Sequence, residues 1–152
     1  MIELAQLEGM FSGMRAKTEW NVDGPMLWGY FFTDRSAEKL ERAATILVAQ
    51  GYRLVKIRED EDGSTRWLHV ERVEVHSPQS LFARNEALYK LADDLRLDCY
   101  DGMDVGPVAS SLNELLSSGS GRIIGYPSVS ASYPFVTLAL LGESLRGCGL
   151  KS

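Results

Sequence analysis

The residues whose types could do chemistry are His69 and His76, the carboxylates Asp101 and Asp104, and the acidic run Glu59-Asp60-Glu61-Asp62. Histidines and carboxylates serve as general acids, general bases and metal ligands. The two histidines are the only ones in the chain. Their odd separation puts them on opposite faces of a regular strand, unless a bulge intervenes, and neither has a second His or Cys at ligand spacing. A structural or exposed role is the better reading for both. Asp101 and Asp104 could form an acid/base pair, but a carboxylate beside Gly102 more often caps a turn. The acidic run with Gly63 resembles part of a calcium loop. It lacks the alternating ligands and the closing glutamate, so it reads as a hairpin tip. Neither a Gly-x-Ser-x-Gly elbow nor a Gly-x-Gly-x-x-Gly or P-loop pattern occurs, and Ser118-Gly119-Ser120-Gly121 has no following helix or lysine. No catalytic residue, metal ligand or cofactor is therefore assigned, and the chain is not expected to be an enzyme.

The elements that position these residues centre on Met26 to Gly51. Leu27, Trp28, Tyr30, Phe31 and Phe32 are strand-favouring types. Alternation places Trp28, Tyr30 and Phe32 on one face, with Leu27, Gly29 and Phe31 on the other. Both faces are apolar, which suits a central strand. Asp34 or Ser36 can cap a following helix, whose buried stripe is Leu40, Ala43, Ala44, Leu47 and Val48. Gly51 supplies its left-handed closing residue.

Tyr52–Arg58 alternates as a second strand, and a third runs from about Thr65 to His76. Leu68 and Val70 differ in parity from Val73 and Val75, which predicts a bulge near Glu71-Arg72. Ser77-Pro78 opens a second helix to Leu95, and Leu97–Tyr100 is a last short strand ended by Asp101-Gly102. Met1–Met14 is either a short leading helix or an unstructured arm. The order β-α-β-β-α-β predicts an α+β, ferredoxin-like split βαβ sandwich: an antiparallel four-stranded sheet with two helices on one face. The domain reading is an arm over 1–25, the sandwich over 26–107, and a Ser/Gly-rich linker and extension over 108–152.

The net charge of −5 is uneven: residues 1–109 carry −6 and residues 110–152 carry +1. Without a basic run, such a domain repels phosphate backbones, so nucleic acid is disfavoured as a direct ligand. Two cysteines, Cys99 and Cys148, make no disulfide framework. Glu3 and Glu8 break up any signal-peptide core, and the longest apolar run, Phe135–Leu141, is too short to span a bilayer. A reduced, cytoplasmic protein without a membrane anchor is expected. If the helices cover the Leu27/Phe31 side, Trp28, Tyr30 and Phe32 are left open beside Trp67 and His69. An aromatic patch of this kind rimmed by charge suits a protein partner, unless the tail or a second copy of the chain covers it.

The aromatic strand LWGYFFT, the helix LERAATILVAQGY, the Ser-Pro helix start and the ending Tyr100-Asp101-Gly102 together resemble the RraB family over about residues 20–107. Tyr-Asp-Gly is the most specific piece. Met103 stands where the family usually has tryptophan. The resemblance implies a cytoplasmic, non-catalytic protein that binds a ribonuclease E-type endonuclease and lowers its activity on some RNAs. The alternative is a small acidic antidote or binding module for another protein, for example a toxin.

Overall fold

The computed structural model describes residues 1–108. The extension from residue 109 onward lies outside the described residues, as does the reading of 108–152 as a linker beyond its first residue. The elements are α1 (Leu4–Lys17), β1 (Met26–Asp34), α2 (Ala37–Ala49), β2 (Arg53–Glu59), β3 (Arg66–Glu74), α3 (Pro78–Asp94) and β4 (Cys99–Pro107). The sheet order is β2-β3-β1-β4, with every neighbouring pair antiparallel. From β1 onward this is the ferredoxin-like arrangement, with β1 and β3 as the two central strands.

Each helix begins and ends for a local reason. Ser36 caps α2 by accepting from the Lys39 N–H, while Asp34 accepts from the backbone N–H of Ser36 at 2.6 Å and of Asp98 at 2.9 Å. α2 closes through Gly51 at φ +98°: Tyr52 N–H bonds to Leu47 C=O and Gly51 N–H to Val48 C=O, which satisfies two otherwise orphaned carbonyls. α3 starts at Ser77 with Pro78 in its first turn, as the sequence predicts. It ends by the same pair of bonds, through Arg96 at φ +54°.

The sequence leaves α1 open between a helix and an arm; it is a helix of 14 residues, about four turns. Leu7, Met10, Phe11 and Met14 are buried in the same core as the sheet, and Phe11 stacks on Trp28 at 6.0 Å. Three helices, rather than two, therefore lie on the inner face.

The irregularities fall elsewhere than predicted. β3 pairs with β1 without interruption from Arg66 to Glu74, so the bulge expected near Glu71-Arg72 is absent. No register correction is needed, because Val73 pairs with Leu27 on the outer face and Val75 lies past the strand, 58% exposed. The shifts occur in the two edge strands instead, between Leu54 and Lys56 in β2 and at Asp101 in β4. β4 also does not stop at Asp101-Gly102. That dipeptide is a bulge, with Gly102 at φ +100°, and the strand runs on to Pro107 with Met103 and Val105 in the core.

Candidate functional site

The alternation in β1 is as read, but its sense is reversed. Trp28, Tyr30 and Phe32 face the helices and are 0% exposed. Trp28 lies between Phe11 and an edge-on His76 at 5.2 Å, Tyr30 meets the Tyr52 ring at 5.7 Å, and Phe32 meets Tyr100 at 5.2 Å. The expected open patch of Trp28, Tyr30 and Phe32 is thus the centre of the core. Three large rings bury more apolar area than Leu27, Gly29 and Phe31 can, so they take the helix side. Trp67 and His69 pair in register with Thr33 and Phe31 on the outer face, away from the three rings they were grouped with. His69 stacks on Phe31 at 4.4 Å, and Arg58 lies over Trp67 at 4.7 Å.

The outer face is drawn in around Gly29, which Glu71 and Asp104 flank in register from the two neighbouring strands. A Cβ at Gly29 would collide with the Asp104 carboxylate and the His69 ring. Any larger residue here would have to displace those two side chains, so glycine is favoured by close approach rather than by φ. Glu71 is held by Arg53 at 2.9 Å, yet burial raises its pKa beyond what Arg53 recovers.

The motif Tyr100-Asp101-Gly102 serves the packing of α3 on β4. The Tyr100 hydroxyl donates to Asn85 Oδ1 at 2.6 Å, and its ring meets Tyr89 edge-on at 4.9 Å. Burial pushes the Tyr100 pKa up, so the hydroxyl stays a donor. Asp101 and Gly102 form the bulge opposite the Phe31/Phe32 step of β1. The acidic hairpin is turned on itself: Asp60 and Asp62 both accept from the Ser64 N–H, and hydrogen bonds to Ser64 hold Asp62 down at about 2. Among the described residues no group of three His, Cys, Asp or Glu is placed to hold a metal ion.

The polar cluster that the sequence did not single out lies where β3 meets α2 and α3. Glu74 Oε2 is 2.8 Å from His76 Nε2, and Glu74 Oε1 accepts from Arg84 Nη1 at 2.6 Å. The same Nη1 reaches the Tyr52 hydroxyl at 2.6 Å, and His76 Nε2 lies 3.3 Å from the Tyr30 hydroxyl. His76 Nδ1 meets Ser80 Oγ at 2.9 Å. Burial raises the Glu74 pKa, but hydrogen bonds from His76 and Arg84 outweigh it and leave the carboxyl below its ordinary range. Arg72 donates to Gln50 C=O at the end of α2, and the Arg72 and Arg84 guanidinium carbons lie 5.5 and 5.4 Å from the Tyr52 ring centre. This cluster borders a groove of about 440 Å³ between the end of α2 and α3. One sequence signal could have found it: Arg84 shares the buried stripe of α3 with Leu81 and Leu88, and a cation there needs a partner.

The family model described as regulator of ribonuclease activity B, RraB, matches residues 5–105. The match begins in α1 and ends in β4, so it takes in the leading helix that the resemblance over 20–107 left out. No curated protein matches the chain.

Proposed function

From the premise that this chain belongs to the RraB family, we propose that it is a non-catalytic regulator that binds a ribonuclease E-type endonuclease in the cytoplasm and lowers its activity on RNA. The observation that carries this reading is the family match over residues 5–105, which spans the core from α1 to β4. A charge of −6 over residues 1–109 favours contact with a basic protein surface rather than with the RNA substrate itself. Trp28, Tyr30 and Phe32 do not make that contact, because their rings are enclosed by α1, α2 and α3. The interacting residues belong to the accessible surface instead.

The test is a cleavage assay with purified endonuclease, a defined RNA and increasing amounts of the full chain. The initial rate is expected to fall and saturate, with no retention of the RNA by the chain alone. An unchanged rate at a hundredfold excess of chain over enzyme would overturn the reading. The same acidity favours a second reading, a binding module for another basic protein such as a toxin. That reading gains only if the endonuclease is unaffected and a purified basic toxin is neutralised.

A further inference from the structure

The groove beside Tyr52 has a charge and shape of its own. Its apolar lining is Ala87, Leu88 and Leu91 of α3, and its polar lining includes Tyr52, Arg72, Arg84, Lys90 and Asp94. A volume of about 440 Å³ is in the range of sites that take a short segment or a small ligand. Three cations line it against two carboxylates: Arg72 and Arg84 share Glu74, and exposed Lys90 holds Asp94 at 2.8 Å, which leaves an excess of one positive charge. On a domain with six more acidic than basic residues, this is a local reversal of sign.

The structural contacts of the two arginines engage part of each guanidinium. Arg84 donates through Nη1 to Tyr52 and Glu74 and also meets the Tyr30 hydroxyl. Arg72 acts through Nη1 to Gln50 C=O and Nε towards Glu74. Arg72 Nη2 and the Arg84 donors not turned inward are what these two side chains offer to a ligand in the groove. The Tyr52 ring beside both planes limits their rotation, so the spare donors are held in place. Guanidinium N–H donors matched to a carboxylate make charge-assisted hydrogen bonds, stronger than neutral ones.

We propose that this groove takes an acidic segment of a protein partner. One carboxylate pairs with Arg84 and Arg72, Lys90 meets a second acidic side chain, and a neighbouring apolar residue lies on Leu88 and Leu91. Charge complementarity selects the acid, and the apolar floor selects its neighbour. The proposal rests on the reading of the chain as a protein-binding regulator and gives that reading a recognition site.

The experiment selects binders to the full chain from a random dodecapeptide library and measures the affinity of the enriched peptides. Enriched sequences are expected to place Asp or Glu next to Leu, Ile, Val or Phe. Arg72→Glu and Lys90→Glu are each expected to weaken them about tenfold or more. Lys90→Glu keeps the test valid if Arg72→Glu loses the contact that closes α2. Failure to enrich any peptide, enrichment without acidic residues, or affinity unchanged in Lys90→Glu would overturn the proposal. In a parallel cleavage assay, loss of inhibition in Lys90→Glu places the endonuclease in this groove. A wild-type chain that binds the peptides but does not slow the endonuclease sinks the ribonuclease reading and leaves the groove standing. Displacement of the peptides by millimolar inorganic phosphate as readily as by free glutamate would mark a general anion site and overturn the peptide assignment.

Discussion

Glu74 shows how one residue ties the inner cluster together and how that tie responds to acid. Its two oxygens divide between His76 and Arg84, and its side chain is only 11% exposed. An ordinary glutamate titrates near 4.5, and in the folded chain the value is lower. The unfolded chain therefore takes up the proton first as acid is added. The stability that the Glu74 carboxylate contributes is complete above about pH 4.5 and drains as pH falls through the lowered value. Glu71 runs the other way: its raised pKa means that the folded state holds a proton more readily, so its contribution declines as pH rises through that value. The expected outcome is a urea midpoint that drops between about pH 6 and about pH 3 in the wild type, with a smaller drop in Glu74→Gln. An equal drop in both proteins would detach the acid response from this cluster. Apart from Arg84 on the apolar stripe of α3, none of it was legible from the residues alone. Glu74, His76 and Arg84 are ordinary members of a strand, a loop and a helix until the fold sets their side chains together.

At the scale of elements, the two helices of the split βαβ unit end by the same bonds with different residues. Gly51 takes its left-handed conformation at no steric cost, whereas Arg96 takes it against the clash of its own Cβ. Gly51→Val should cost more than about 1 kcal/mol, and Arg96→Gly should gain up to about 1 kcal/mol. Thermal unfolding of the pair checks both. An unchanged midpoint in Gly51→Val would mean that the turn can be closed another way. The first closure was legible because the stripe Leu40, Ala43, Ala44, Leu47 and Val48 stops just before a glycine, although Val48 itself proves 48% exposed and off the buried face. The second was not, because an arginine at such a place carries no turn signal. β4 was misread for a related reason. Asp101-Gly102 has the composition of a turn, and only pairing with β1 makes it a bulge within a longer strand.

For the whole molecule, α1 is part of the core rather than a preface to it. Phe11 is 0% exposed and stacked on Trp28, so Phe11→Ala should remove about 3–5 kcal/mol of stability although α1 lies outside the split βαβ unit. Chemical denaturation measures this directly. A loss below about 1 kcal/mol would show α1 to be a loosely held appendage. Among the described residues no helix is long and apolar enough to cross a membrane. What the sequence determined by itself is what short-range physics controls: element types and order from hydrophobic period, helix starts from Ser36 and Ser77-Pro78, and from these the antiparallel α+β fold. Packing of the helices decided which face of β1 is inside, in favour of the larger rings. Alternation assigns residues to two faces, but when both faces are apolar it cannot say which one the helices cover. Tertiary structure also decided the groove, since Tyr52, Arg72 and Arg84 come from three separate parts of the chain. Their meeting depends on strand register and helix packing, which no local pattern encodes.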